Sequence, residues 1–349
     1  MPKTRKPTSR GYGLFRQAEV GALATFRVPA HAALLAELYD PAALGELLAT
    51  CEVSRAGNLF VLGGGSNVLF TGDYAGVVLR IATRGIETVA ESETRVRLRI
   101  AAGENWDRFV RWTLAQGLAG LENLILIPGT VGAAPIQNIG AYGVELAEFL
   151  YAVEAWDSDR GGFVTLEADD CGFAYRDSRF KHEPGRHVIT AVELELPRER
   201  ALRLDYAGLS GELRTLGVGK ATHAAVARAV ERLRRRKLPD PAEIGNAGSF
   251  FKNPLVTGER AEMLKRVHPD LPVYPAGGGM VKLSAAWLIE DAGLKGRRDG
   301  ATGVSAKHAL VLVNYGGATG VEVLALAERI RAAVTERFGV TLEPEPRVL

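Results

Sequence analysis

Several segments of this chain place residues at spacings suited to chemistry. Gly63-Gly64-Gly65-Ser66-Asn67 follows a short apolar run. Glycines there let backbone N–H groups approach an anion, and the serine and asparagine add donors, so phosphate or pyrophosphate is the natural guest. A plain turn is the other use of such a run. It is neither GxGxxG, nor a P-loop with its lysine, nor the GxSxG elbow of hydrolases. A second glycine-rich segment runs Ile127-Pro128-Gly129-Thr130-Val131-Gly132-Ala133-Ala134-Pro135 and continues through Asn138 and Gly140 to Gly143. Two such segments can wrap a dinucleotide from two sides. Equally, the second can be one buried crossover loop.

Three further places carry reactive types. Arg176 stands in Tyr175-Arg176-Asp177-Ser178. Its guanidinium can hold a carboxylate in bidentate fashion, or simply pair with Asp177. Ser249 lies in Gly245-Asn246-Ala247-Gly248-Ser249-Phe250-Phe251-Lys252-Asn253-Pro254, where small residues flank a hydroxyl and two aromatics exclude water. A hydroxyl in a dry site can donate a proton to a reacting carbon; the commoner use of serine is an N-cap or turn. The C-terminus, Leu342-Glu343-Pro344-Glu345-Pro346-Arg347, reads by default as a frayed tail, although its paired prolines can pin a carboxylate in a site.

These residues need elements to position them. Apolar runs predict strands at 58–62 and 76–81. Strict alternation predicts half-buried strands at 95–100, with Val96, Leu98 and Ile100 inward, and at 188–196. Helices are expected over 104–116, 220–236 and 284–291, and from a Thr319/Glu322 capping box to Gly339. Residues 309–314 read as a buried strand. The uncharged stretch 121–146 reads as buried or ligand-covered. A domain boundary is expected where Pro239 and Pro241 stop the helix 220–236. The class is α+β.

The chain has 349 residues, 43 Lys plus Arg and 41 Asp plus Glu, for a net charge of +2. That balance gives no global pull toward nucleic acid or anionic membrane. The charge run Arg234 to Lys237 sits at a helix C-terminus, where the macrodipole favours cations. Forty glycines are about 11% against a typical ~7%, and they cluster in loops. Two separated cysteines, Cys51 and Cys171, argue against a disulfide framework or zinc cluster and fit a reducing cytoplasm. No apolar run approaches ~18 residues. The basic first ten residues lack the apolar core of a signal peptide and read as a disordered tail.

Taken together, GGGSNVLF (63–70), AGENWDRFV (102–110), GLENLILIPGTVGAAPIQNIGAYGVEL (120–146), YRDSRFK (175–181), KLPDP (237–241), GNAGSFFKNP (245–254) and LEPEPR (342–347) resemble, in order, the UDP-N-acetylenolpyruvoylglucosamine reductases of peptidoglycan synthesis. The resemblance implies a three-domain FAD-binding fold like that of the vanillyl-alcohol-oxidase flavin family: residues 1–83, residues 84–238 plus 339–349, and an α+β substrate-binding domain at 239–338. It implies reduction of an enolpyruvyl ether to a lactyl ether through FAD, with NADPH as electron source, in a cytoplasmic monomer with no nucleic-acid, membrane or metal partner. It places FAD against Gly63, Gly64, Gly65, Ser66, Asn67, Gly129, Thr130, Gly132, Ala133, Ala134, Asn138, Gly140, Ile189 and Arg347. It assigns Ser249 as proton donor, with Arg176 and Glu345 at the enolpyruvyl group. Glu345 either orients the enol or relays a proton. Tyr142, Tyr206, Lys237, Asn253 and Tyr274 fall where the family contacts substrate or its nucleotide, Tyr274 in the tyrosine-bearing loop of the longer subclass. Where members carry Asn-Thr-Phe/Leu-Gly near the N-terminus, this chain has Ala24-Thr25-Phe26-Arg27, and no cofactor contact is carried over from it. An oxidase of the same fold, passing electrons to oxygen, is the alternative.

Overall fold

The structure, a computed structural model, describes residues 10–349 and divides into two compact units. The basic tail expected at the N-terminus falls on residues 1–9, outside the described residues. One unit comprises the chain up to Ala18, Ala32–Gly64 and Ala75–Arg234; the other comprises Glu19–His31, Gly65–Tyr74 and Arg235–Leu349.

The first unit is built on two sheets. A four-stranded sheet has the order Tyr12–Glu19, His31–Leu38, Tyr74–Ile81, Leu59–Leu62, the last two pairing in parallel. A five-stranded antiparallel sheet has the order Gly162–Glu167, Leu150–Asp157, His187–Pro197, Arg95–Ala101, Ile86–Glu91. The alternation read from the sequence sets its register. Val96, Leu98 and Ile100 are buried opposite Leu196, Leu194 and Val192, while Arg95, Arg97 and Arg99 align with Pro197, Glu195 and Glu193 on the other face. The helix Trp106–Ala115 begins at Asn105, whose Oδ1 accepts from the Arg108 N–H at 3.0 Å, and it buries Trp106, Phe109, Val110 and Thr113. A 15-residue helix, His223–Lys237, closes the unit and buries Val226, Val230 and Leu233.

In the second unit the helix Gly320–Phe338 opens with the expected capping box and ends at Gly339. It buries Val323, Leu326, Ile330, Val334 and Phe338. Ser284 caps Ala285–Asp291, its hydroxyl accepting from the Trp287 N–H. The strand read at 309–314 is shorter, Leu312–Asn314. Its first residues turn instead, because the His308 carbonyl accepts from the Val311 N–H at 3.0 Å. No described helix is long and apolar enough to cross a membrane.

Candidate functional site

Gly63 and Gly64 meet the second glycine-rich segment within the first unit. The backbone pins 129–132 to 102–106: Trp106 N–H donates to Gly129 O (3.1 Å), Val131 N–H to Glu104 O (2.8 Å) and Gly132 N–H to Ala102 O (2.9 Å). Against this shelf lies the end of strand Leu59–Leu62. A Cβ on Gly63 would stand 2.8 Å from Thr130 Oγ1 and 2.9 Å from Ala133 Cβ, and one on Gly64 would stand 2.6 Å from Gly129 Cα. Any side chain there would push the segments apart, so glycine is required by close approach. No backbone hydrogen bond among the described residues uses the N–H groups of Gly63, Gly64 or Gly65. Three successive donors are thus available to a ligand oxygen, the arrangement that suits a pyrophosphate. The donor set fits FAD. Ile189, buried on strand His187–Pro197, lies in the same unit.

Residues 121–146 form three short 3-10 turns and a small hairpin, Gly140–Ala141 with Val144–Glu145. Leu121 to Ile125 are buried. Among the described residues, four of the six non-glycine residues at positive φ fall in or beside this segment: Leu126 (61°), Asn138 (43°), Tyr142 (51°) and Arg176 (54°). Such backbone costs of order 1–3 kcal/mol per residue and clusters where function demands a fixed geometry. Hydrogen bonds hold it. Asn138 Nδ2 donates to Glu145 Oε2 (2.9 Å) and Ala174 O (3.2 Å), and its Oδ1 accepts from Ala147 N–H (3.0 Å). Its side chain is therefore committed to the loop itself, tying 138 to the segment that carries Arg176. Arg176 Nη2 donates to Gly140 O at 2.6 Å, and Lys181 Nζ donates to Arg176 O at 3.0 Å. Asp177 faces His182, 2.7 Å from Nε2. The rings of Tyr142 and Tyr206 pack with centroids 4.7 Å apart.

In the second unit Ser249 follows Gly248, which adopts φ +69°. Ser249 bridges to Val311, and Phe250 N–H donates to Leu310 O at 2.7 Å. Ser249 caps no helix, and its hydroxyl forms no hydrogen bond with a described residue, so the N-cap alternative falls away. Phe250 and Phe251 are buried with centroids 5.2 Å apart. Glu345 N–H donates to Phe250 O at 2.8 Å, and Asn67 Nδ2 donates to Glu345 O at 3.2 Å. Arg347–Val348 then pairs in parallel with Val68–Leu69, Arg347 N–H donating to Asn67 O at 3.0 Å. The C-terminus is a pinned strap carrying Glu345. Asn67 reaches it through both side chain and carbonyl. Asn253 Oδ1 accepts from the Ala285 N–H (3.0 Å) at the head of a helix. Tyr274 is exposed on the hairpin Val273–Gly277 with Met280–Leu283. Lys237 is exposed at its helix end, and its charge adds to burial in pushing the His308 imidazole toward the neutral form.

Two contributors escape sequence reasoning. Asn123 is fully buried, and its Nδ2 donates to Tyr142 O (2.9 Å) and Arg203 O (3.1 Å). It thereby fixes the strained tyrosine and the segment leading to its ring partner. An asparagine between leucines was a visible signal of a buried polar anchor. The segment 24–27 also contributes within the second unit: Thr25 N–H donates to Gly65 O (2.9 Å) and Asn246 N–H to Thr25 O (3.1 Å). It links the glycine loop to the Ser249 segment. Arg27 stands at φ +53°, left-handed backbone that explains glycine at this place in the motif it departs from. Among the described residues no group of three or more His, Cys, Asp or Glu could hold a metal ion.

A family model described as an FAD binding domain matches residues 33–167. The chain is therefore a flavin oxidoreductase, its cofactor-binding part containing both glycine segments. A second model, UDP-N-acetylenolpyruvoylglucosamine reductase, C-terminal domain, matches residues 240–349, including Ser249 and the strap. A UDP-N-acetylenolpyruvoylglucosamine reductase from Xanthomonas euvesicatoria is 53% identical over 340 residues, covering 97% of both chains. One from Xylella fastidiosa strain M12 is 52% identical over 337 residues, covering 96% of both. The solved structure of UDP-N-acetylenolpyruvylglucosamine reductase from Thermus caldophilus superposes with a TM-score of 0.65 at 26% identity, covering 97% of this chain and 98% of that one. The chain belongs to the UDP-N-acetylenolpyruvoylglucosamine reductase family.

Proposed function

We propose that the protein reduces the enolpyruvyl ether of UDP-N-acetylglucosamine enolpyruvate to UDP-N-acetylmuramate, with NADPH as electron source, supplying the cytoplasmic phase of peptidoglycan synthesis as a monomer. Full-length identity of 53% to a reductase of that name carries the reading. When bound, FAD supplies a two-electron donor that NADPH recharges. The chain's own residues do the rest. Gly63 to Ser66 and Gly129 to Ala134 hold the cofactor's phosphates and rings, with Asn138 and Gly140 shaping the loop beside them and Asn67, Ile189 and Arg347 completing the contacts. The Arg176 guanidinium binds the substrate carboxylate and stabilises negative charge spreading into it as C3 accepts hydride. The Ser249 hydroxyl gives its proton to C2, a carbon basic enough at that moment to take a proton from so weak an acid. Glu345 orients the reacting group. Tyr142, Tyr206, Lys237, Asn253 and Tyr274 bind the nucleotide portion.

The test is spectroscopic. Under anaerobic conditions NADPH should bleach the flavin absorbance near ~450 nm, a property of the cofactor. The enolpyruvyl nucleotide should then restore it. Recovery only on admitting air would assign an oxidase instead.

A further inference from the structure

Asp107 sits in the first turn of helix Trp106–Ala115, with Arg111 one turn further on. An acid in that place has two ordinary uses: it faces the positive end of the macrodipole, and it forms half of an i,i+4 ion pair. The structure adds a third. Oδ2 accepts from Arg111 Nε at 2.9 Å, but Oδ1 accepts from the backbone N–H of Leu126 at 2.8 Å. Capping does not need Asp107, because Asn105 Oδ1 takes the Arg108 N–H. Arg111 Nη2 also lies 3.2 Å from Glu231 Oε1 on the helix His223–Lys237, so the carboxylate is fixed from behind. All of these residues belong to the first unit.

Leu126 is the residue that needs holding. Its φ of 61° is left-handed backbone, which a leucine side chain disfavours and glycine does not. Ile125 before it is extended at φ −60° and ψ 150°, so the left-handed step is isolated. The start of the helix grips both sides of that step. Trp106 Nε1 donates to Leu124 O at 2.9 Å on one side, and the Trp106 N–H donates to Gly129 O at 3.1 Å on the other. Gly129 and Thr130 then lie so close to Gly63 and Gly64 that neither glycine has room for a Cβ. A relaxed φ at Leu126 would re-aim the segment that leads to this contact. A carboxylate accepting a backbone N–H is a charge-assisted hydrogen bond, stronger than a neutral one.

We propose that Asp107 is a positioning residue for cofactor binding: by holding Leu126 in left-handed backbone it fixes Gly129 and Thr130 against Gly63 and Gly64. The inference rests on the cofactor contacts proposed above for those four residues.

The experiment measures the FAD dissociation constant of the holoprotein, from the flavin fluorescence released on dilution. It compares wild type, Asp107→Ala, Asp107→Asn, Arg111→Met and the double variant Asp107→Ala/Leu126→Gly. Loss of one charge-assisted hydrogen bond is worth about tenfold or more, so Asp107→Ala should raise the constant about tenfold. Asp107→Asn, which keeps an acceptor for the Leu126 N–H, should lose less. Arg111→Met removes the ion pair alone and should bind FAD as wild type does. Leu126→Gly added to Asp107→Ala should recover part of the loss, because glycine adopts the left-handed step without help. A merely structural role for Asp107 would not be rescued by glycine, which loosens the chain further. An unchanged constant in Asp107→Ala, the same loss in Arg111→Met, or no recovery with Leu126→Gly overturns the proposal. If Asp107→Ala does not fold, Asp107→Asn with and without Leu126→Gly is judged by the same recovery. Wild-type protein that takes up no FAD would instead refute the cofactor reading on which the proposal rests.

Discussion

The backbone N–H of Glu345 donates to the carbonyl of Phe250 at 2.8 Å, so the C-terminal carboxylate-bearing residue is fixed by its main chain to the residue after Ser249. Thr71 N–H and Leu349 O (2.7 Å), and Leu349 N–H and Leu69 O (2.9 Å), extend the same attachment. Because the hold is on the backbone, the Glu345 side chain can be changed without releasing the strap. We expect Glu345→Gln to keep the thermal midpoint while lowering turnover, and deletion of Pro344 to Leu349 to lower both. Calorimetry and steady-state rates check this. A deletion variant with wild-type melting and turnover would make the strap inert.

Ser249 offers a complementary separation of structure from chemistry. Its hydroxyl forms no hydrogen bond with a described residue, and its backbone is held by the bridge to Val311. Ser249→Ala should therefore melt with wild type and accept electrons from NADPH at the wild-type rate. Turnover should fall by about 10²–10⁴-fold, the range for a lost general acid. Stopped-flow flavin absorbance resolves the two half-reactions, and unimpaired reoxidation by the enolpyruvyl nucleotide would remove serine from proton transfer.

Elements whose signals are local were legible in the sequence. The Thr319/Glu322 box, the Ser284 cap and the alternation of Val96, Leu98 and Ile100 each state a periodicity or a cap within one segment, and the structure has them. What depends on distant partners was not legible. The strap pairs residues 347–348 with 68–69, a register no local pattern encodes. Arg27 occupies left-handed backbone because of what packs around it, since arginine itself does not favour that region. The motifs were legible in the sequence; the network that strains and holds them was not.

Asn123 tests that network. Its Nδ2 serves two carbonyls, those of Tyr142 and Arg203, while its Oδ1 is sealed without a partner. Asn123→Leu fills the space and removes both donors, at about 1 kcal/mol of stability per hydrogen bond lost. The freed Tyr142 should lose its packing on Tyr206. KM for the nucleotide substrate should rise several-fold with kcat reduced less. Asn123→Asp, whose ionised side chain can only accept, should not rescue it. Equal KM values in wild type and Asn123→Leu would show that the tyrosine pair is held by other contacts.

The segment carrying Arg176 is anchored by a buried ionic cluster that sets an acid limit. Asp157 and His187 have side chains only 3% and 1% exposed, with Arg186 Nη2 3.1 Å and His187 Nε2 3.6 Å from Asp157 Oδ2. Chiefly through the Arg186 hydrogen bond, the Asp157 carboxyl is lowered to about 2 from the usual 3.8. Burial, against the pull of Asp157 and Glu183, lowers the His187 imidazole below the usual 6.5. In both cases the unfolded chain binds protons more readily than the folded one, so stability rises with pH across each window. The His187 contribution is complete above about pH 6.5 and fades below it; the Asp157 contribution is complete above about pH 4 and is lost toward pH 2. Urea midpoints measured from pH 8 to pH 2 should fall in two steps. His187→Phe, which suits the ring contact with Phe180 at 5.7 Å, should remove the upper step and keep the lower. Asp157→Asn should remove the lower step. An upper step that persists in His187→Phe would mean that another group carries it.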